Sequence, residues 1–236
     1  MRRLVVGLDG VAALREASGG PSLAAAAALA TVAGARGVRL GITEELLPVT
    51  ERDLREVAAV APGLELRMAP IPSLVKAALE ARPARVLLSS SPNGAGAALP
   101  LDFRAWGSAL PPALRTLEEA GLFAAALVSA DLGAVKAAHA VGARGIELYT
   151  GWVVDLPPAE QSEALAQLAD ASRLAAKLRL ELSLGGGLDE HNVGAVLEAV
   201  PIAVSVSVGR GFVNRALLVG IERATRDLRE AIGQPR

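Results

Sequence analysis

Leu178-Arg-Leu-Glu-Leu-Ser-Leu184 leads into Gly185-Gly186-Gly187 and then into Leu188-Asp-Glu-His-Asn-Val193. A strand-like run thus passes through glycines straight onto the start of a helix. The pattern returns as Ile202-Ala-Val-Ser-Val-Ser-Val208, then Gly209-Arg210-Gly211, then a helical run from Phe212 onward. Glycine lets the backbone bend sharply and come close to a ligand. The free N–H groups and the dipole at a helix amino terminus favour an anion there. Two such units closing an eightfold βα series form the phosphate site that many barrels share.

Working outward, the same grammar fills the chain. A helical run ending in a glycine or proline turn precedes each of the strand-like runs Val38–Ile42, Leu64–Met68, Arg85–Ser89, Leu122–Val128 and Ile146–Thr150. With Leu4–Leu8 in front and the two glycine-turn units behind, the count is eight strands. Helical patterns lie between them: Ser22–Ala33, Glu51–Val60, Ile71–Glu80, Pro112–Ala120, Asp131–Val141 and Ala159–Lys177, then Asp189–Ala199 and Phe212–Ala231. Alternating strands and helices argue a parallel sheet. Eight of each predict a single (β/α)8 TIM barrel, one domain over residues 1–236. Ser89–Pro111 is the one long irregular stretch, and such a stretch is a candidate for a loop closing over the site.

Composition narrows the function classes. With 52% hydrophobic and 21% charged residues, a large buried core is available. A formal net charge of -1 gives no basic footprint for nucleic acid. The absence of cysteine excludes disulfides, thiolate metal sites and thiol nucleophiles. Leu23–Ala35, the longest uncharged apolar run, is far short of the roughly 20 apolar residues of a membrane span. The amino-terminal apolar run is too short, and too soon charged, for a signal peptide. A soluble, cytoplasmic protein with no membrane partner is the expectation.

Strand alternation groups side chains by face: Gly7 with Asp9, Arg39 with Gly41 and Thr43, Glu65 with Arg67, Gly145 with Glu147 and Tyr149, Ser205 with Ser207. Barrel catalytic groups come from strand carboxyl ends, so Asp9, Thr43, Arg67, Glu147 and Tyr149 are the chemistry candidates. Parity alone does not say whether a face looks into the barrel or toward the helices.

Six phrases add a resemblance: Gly7-Leu-Asp-Gly-Val-Ala-Ala-Leu-Arg15, Pro48-Val-Thr-Glu-Arg-Asp-Leu54, Leu66-Arg-Met-Ala69, Ile146-Glu-Leu-Tyr-Thr-Gly151, Gly186-Gly-Leu-Asp-Glu-His-Asn-Val193 and Val208-Gly-Arg-Gly-Phe-Val-Asn-Arg-Ala216. In order and spacing the chain resembles the pyridoxine 5'-phosphate synthase family, from first strand to last helix. The resemblance implies a (β/α)8 barrel assembled into a homo-oligomer. It also implies condensation of 1-deoxy-D-xylulose 5-phosphate with 3-amino-2-oxopropyl phosphate, with no metal and no organic cofactor. The chemistry of the family rests on side-chain acid–base catalysis, chiefly by histidine and glutamate.

The chain departs from the family pattern where that chemistry resides. The strand-one Asn-x-Asp-His becomes Gly7-Leu8-Asp9-Gly10, the arginine three residues past Arg15 becomes Ser18, the strand-two base histidine becomes Gly41 and the substrate arginine Thr43. A loop histidine becomes Pro48, the strand-three glutamate Arg67, the acid histidine of the first glycine turn Gly186, and the histidine after strand eight Arg210. Glu147, Asp9, Gly187 and Gly209 remain. Histidine exchanges protons near neutral pH without tuning. Of the two present, His139 falls inside a helix and His191 at the start of one. The synthase activity itself is therefore in doubt.

What remains is a phosphorylated small-molecule ligand bound by Gly186, Gly187, Gly209 and Arg210, with Asp9 and Thr43 lining the site and Glu147 and Arg67 as the residues left for catalysis. Arg210 is either a clamp on the phosphate or a solvent-facing loop residue. Glu147 either acts on the ligand or is neutralised in an ion pair with Arg67, since a buried carboxylate requires a partner. Asp9 either touches the ligand or satisfies loop N–H groups. Tyr149 reads as wall, Thr50 to Asp53 as a helix cap, and Asp189 and Asn192 as capping oxygens beside His191. Two alternatives stand beside this reading: a catalytically silent barrel kept for assembly or ligand binding, and another phosphosugar isomerase or aldolase. The lack of a lysine at a strand end counts against a Schiff-base aldolase.

Overall fold

The computed structural model describes residues 2–90 and 99–234. Strand β1 (Arg3–Gly7) runs directly into helix α1 (Asp9–Ser18), and α2 (Leu23–Val32) precedes β2 (Gly37–Gly41). Then come α3 (Glu51–Val60), β3 (Leu64–Met68), α4 (Pro72–Ala81) and β4 (Arg85–Leu88). A short α5 (Phe103–Trp106) and α6 (Leu110–Glu119) lead to β5 (Phe123–Val128), α7 (Leu132–Ala140) and β6 (Gly145–Tyr149). The remaining elements are α8 (Gly151–Val154), α9 (Pro158–Lys177), β7 (Glu181–Gly185), α10 (Val193–Ala199), β8 (Ser205–Val208), α11 (Arg210–Val219) and α12 (Ile221–Ala231). All eight strands pair in parallel, and β8 returns to β1, closing the sheet. The observed fold is the expected (β/α)8 barrel.

Strand alternation divides two chemistries. Leu4, Val6, Leu40, Leu66, Leu88, Ala126, Leu148, Leu184 and Val206 face outward and join the helices in one contiguous apolar core. The alanine-heavy α2 belongs to this layer: Ala26, Ala27 and Ala30 are buried, and their small side chains let the helix press close between neighbours. The inward faces carry only a small apolar cluster of Leu87, Ala125 and Leu127. Beside these and Val5, with Phe123 and Tyr149 packed against the cluster, the interior is mostly glycine, serine and charge.

Neighbouring tilted strands contribute to successive levels, so each layer of a barrel takes its four side chains from alternate strands. Tracing the pairing register gives the order upward along the axis. Val5, Glu65, Ala125 and Ser183 lie below Arg39, Leu87, Glu147 and Ser207. Above these come Gly7, Arg67, Leu127 and Gly185, and at the mouth Gly41, Ser89, Tyr149 and Gly209.

Several sequence expectations need correction. Asp9 does not close a strand but opens α1, a helix the Gly-Leu-Asp-Gly reading passed over; Val11 to Glu16 are mostly good helix formers that carry it. The pattern from Phe212 to Ala231 is two helices, because Gly220 (φ 82) breaks it. Residues 189–192 form a turn, and α10 begins at Val193. Strand β7 begins at Glu181, since Arg179 takes a left-handed conformation (φ 59) that stops the chain extending earlier. Of the stretch 89–111, residues 91–98 lie outside the described residues; the remainder includes α5 and the start of α6.

The cap at Thr50 forms as the sequence indicates. Its hydroxyl accepts from Asp53 N at 3.2 Å while Asp53 Oδ2 accepts from Thr50 N at 2.8 Å. Asp53 also receives Arg15, whose second amino group reaches Pro48 O at 2.5 Å, tying α1 to α3. Burial pushes the Asp53 carboxyl up, but the bonds from Arg15 and Thr50 outweigh it and hold it below the usual aspartate value. A depressed carboxyl stabilises the fold above its unfolded pKa, and that contribution fades as pH falls through the folded value. Asp53→Asn is expected to cost about 1–3 kcal/mol at pH 7. Urea melts of variant and parent should converge in acid below the aspartate range; a gap that persists there would contradict this assignment.

Candidate functional site at the barrel mouth

Three arginines and three glutamates fill the lower barrel. Glu65 Oε1 accepts from Arg3 Nη2 at 2.6 Å, and its Oε2 accepts from Arg39 Nη2 at 2.9 Å. Arg85 lies 3.7 Å from Glu65, bonds Glu181 at 2.6 Å and stacks 3.9 Å from the Phe123 ring centroid. Arg39 then crosses the barrel to Glu147, donating from Nη1 to Oε1 at 2.8 Å and from Nη2 to Oε2 at 2.6 Å. Burial alone would lower the Arg39 pKa; the charges of Glu147 and Glu65 more than offset it and hold it well above the ordinary value.

The expected Arg67–Glu147 pair is therefore not the one that forms. Glu147 does take a guanidinium partner, as a buried carboxylate must, but the partner is Arg39. The reason is the layering: Arg39 on β2 and Glu147 on β6 share a level, whereas Arg67 on β3 sits one level higher. From there Arg67 Nη2 reaches up to Asp9 Oδ2 at 3.1 Å. The other Asp9 oxygen accepts from Gly41 N at 2.6 Å, so Asp9 satisfies the N–H that ends β2, rather than a loop N–H, together with a buried cation. Arg39 and Glu65, the centre of the network, carry a signal in the sequence. On a strand covered on both faces, a charge alternating with leucine must be paired inside.

Glycine makes room for this arrangement. A Cβ on Gly185 would collide with Glu147 Oε1 and lie 2.8 Å from its Cδ. A Cβ on Gly186, whose φ is +108, would sit 2.5 Å from the Tyr149 ring. Tyr149 also lies against Gly151, so it forms part of the wall over the first glycine turn. Thr43 Oγ1 exchanges bonds with Leu47, donating to its O at 3.1 Å and accepting from its N at 3.3 Å. Its hydroxyl thus shapes the 43–47 loop.

The two glycine turns meet. Gly211 packs directly on Leu188 O and Asp189, leaving no space for a side chain. The carbonyl of Gly186 accepts from Thr150 Oγ1 at 2.5 Å and that of Gly187 from Asn192 Nδ2 at 3.0 Å, which fixes the first turn. Asp189 Oδ1 accepts from the N–H groups of His191 and Asn192 at 2.9 and 3.0 Å. Gly209 caps α11 without a side-chain bond, and a Cβ there would meet nothing within 4 Å. The first N–H groups of a helix have no intrahelical acceptor, so those opening α11 are left without a partner in their own helix. Arg210 is exposed at its head. His191 and His139 are both exposed, on the 189–192 turn and on α7. Among the described residues no group of three or more His, Asp or Glu could hold a metal ion, and no helix is long and apolar enough to cross a membrane.

Comparisons with known proteins bear on the chain as a whole. Residues 4–234 match the family model described as pyridoxal phosphate biosynthesis protein PdxJ. The chain is 34% identical over 237 residues to the pyridoxine 5'-phosphate synthase of Geobacter sp. (strain M21), covering 98% of this chain and 99% of that one. It is 33% identical to the enzyme of the same name from Synechococcus sp. (strain JA-2-3B'a(2-13)), covering 99% of each. Among solved structures, phosphoribosyl anthranilate isomerase from Thermococcus kodakaraensis superposes with a TM-score of 0.65 at 13% identity, covering all of both chains. At that identity the likeness concerns the barrel alone.

Proposed function

The chain belongs to the pyridoxal phosphate biosynthesis protein PdxJ family, and from that premise we propose that it binds a phosphorylated small molecule at the barrel mouth without performing the synthase condensation. The observation that carries this reading is the ion pairing of both carboxylates left at the site. Glu147 is 2% exposed, bonded through each oxygen to Arg39, and lies a level beneath Arg67 and Gly185. Asp9 is held by Arg67 and Gly41 N. A general base must come within hydrogen-bond reach of the proton it takes. A ligand entering from above meets the arginine and the glycines before it meets Glu147. Gly41 and Gly186 offer no side chain in place of the family histidines.

The phosphate half of the reading is supported by the adjoining turns, where Gly186, Gly187 and Gly209 present backbone and Arg210 adds an exposed positive charge. Thr43 contributes by shaping the rim. The chain acts as one cytoplasmic domain, and its copies associate. Exposed apolar side chains support that association: Val32 is 82% exposed, and Leu217 and Leu218 at the end of α11 are 67% and 81% exposed.

Two measurements separate the halves. Incubation with 1-deoxy-D-xylulose 5-phosphate and 3-amino-2-oxopropyl phosphate should produce no pyridoxine 5'-phosphate absorbance; turnover at a rate above background would refute the loss of chemistry. Inorganic phosphate or pyridoxine 5'-phosphate at about ten times its Kd should add about 1.4 kcal/mol, raising Tm by about 3–6 °C. A flat melting temperature up to millimolar ligand would refute the phosphate site.

A further inference from the structure

The mouth contains a polar atom that the fold does not employ. Ser89, just past the end of β4, is fully buried, and its Oγ has no hydrogen-bond partner among the described residues. Such groups call for an explanation, because a buried hydroxyl without a partner is a net cost to folding. Its neighbour Ser90 is employed: Ser90 Oγ accepts from Asp102 N at 2.8 Å. The backbone of Ser89 continues the β3–β4 ladder, its N–H donating to Met68 O at 2.9 Å. Alternation places its side chain on the same face as Leu87, which lies in the inner apolar cluster. Ser89 therefore points into the barrel at the mouth level, across from Gly209 just past the end of the opposite strand, with Gly41 and Tyr149 between them around the ring.

We infer that Ser89 is the contact that selects the end of the ligand remote from its phosphate, an inference that rests on the phosphate reading above. A ligand anchored at Gly209 and Arg210 projects its other end across the mouth toward β4. Gly7, Gly41 and Gly209 carry no side chain along that path, and Arg67 and Asp9 line its floor as a neutral pair. The hydroxyl of Ser89 both donates and accepts, so it suits an alcohol or a carbonyl oxygen. The ligand class is then a phosphate ester carrying a hydroxyl or keto group at its far end, such as a phosphorylated keto sugar; inorganic phosphate is too short to reach. Ser89 is covered in the free protein, so the bond forms only as binding displaces what covers it. Once made, the bond is shielded from water and from its competition.

Calorimetric titration of the wild-type chain, Ser89→Ala and Ser89→Thr with two probes tests this. For 1-deoxy-D-xylulose 5-phosphate, Ser89→Ala should weaken binding about 5- to 10-fold, the worth of one net hydrogen bond, while Ser89→Thr retains most of the affinity. For inorganic phosphate the three proteins should bind alike. Thermal melts without ligand should show Ser89→Ala at or above the wild-type Tm, since the variant removes an unsatisfied group; a clear drop would mean that Ser89 is structural and overturn the inference. Equal keto-sugar affinity in wild type and Ser89→Ala overturns it as well, with the phosphate reading intact. Failure of the wild type to bind either probe overturns both.

Discussion

Replacing Arg39 with alanine is expected to remove about 3–5 kcal/mol of folding stability, more than any other single truncation in the barrel interior. Arg39 is 7% exposed and is the only link among the described ion pairs between Glu65 on β3 and Glu147 on β6. Without it Glu147 loses both of its guanidinium bonds in a site 2% exposed to solvent, whereas Glu65 retains Arg3 and Arg85. The variant thus strands one buried carboxylate, and the cost of an uncompensated buried charge dominates. For a chain of this size that corresponds to a fall in Tm of about 6–20 °C. A loss under about 1 kcal/mol in urea denaturation would show that the pair is solvated and that the barrel interior is not the low-dielectric layer described above.

The companion variant makes that result diagnostic. Removing a buried ion pair whole is commonly far less harmful than breaking it, because the desolvation cost of both charges is removed along with their attraction. Arg39→Met combined with Glu147→Leu should therefore recover a substantial part of the stability lost by Arg39→Met alone, giving a large coupling in the double-mutant cycle. Additive losses would place the contribution of Arg39 in its packing and its bond to Glu65. The network is also the reason Glu147 is a poor candidate for proton transfer: the contact that lets the carboxylate exist in the interior is the contact that occupies it.

The strands and most helices are legible in the sequence because their signals are local. Glycine and proline turns punctuate each βα unit, and Thr50, Ser22 and Asp131 cap the helices they precede, with bonds to Asp53 N, Ala25 N and Ala134 N. The outward strand faces follow from alternating leucine and valine. What is not legible depends on register. Alternation puts Arg67 and Glu147 each on a chemistry-bearing face, but only the pairing of adjacent strands fixes their height along the axis. A single level separates the expected Arg67–Glu147 contact from the observed Arg39–Glu147 and Arg67–Asp9 contacts. The same limit hides Ser89, an unremarked serine at a strand end until its level and its lack of a partner are known. Helix α1 escapes for a different reason: Gly7-Leu8-Asp9-Gly10 carries turn signals, and the helix-forming run after it is short enough to be overruled by them. At Gly220 the error is reversed, with one glycine overlooked inside a strongly amphipathic pattern.

Restoring the family residues at the three central positions, with histidine at Gly41 and Gly186 and glutamate at Arg67, is expected to yield a destabilised protein without synthase turnover. Each substitution meets an obstacle set by its surroundings. At Gly186 the backbone has φ +108, a conformation that costs a side-chain-bearing residue of order 1–3 kcal/mol, and its Cβ would fall 2.5 Å from the Tyr149 ring. At Arg67 a glutamate would stand beside Asp9 with the cation between them gone, one level above the already buried Glu147, so like charges gather in a site of low dielectric. At Gly41 the N–H that donates to Asp9 would have to hold its geometry under a large new side chain. The combined cost is expected to reach about 3–5 kcal/mol, the range of other severe interior changes, and product absorbance should stay at background. Adding Tyr149→Ala relieves the contact at Gly186 and should recover part of the stability while leaving turnover absent, because the loop arginine and histidine are still replaced by Thr43 and Pro48. Turnover by the triple variant would mean that these three residues suffice for the condensation, and that the wall formed by Tyr149 yields to them.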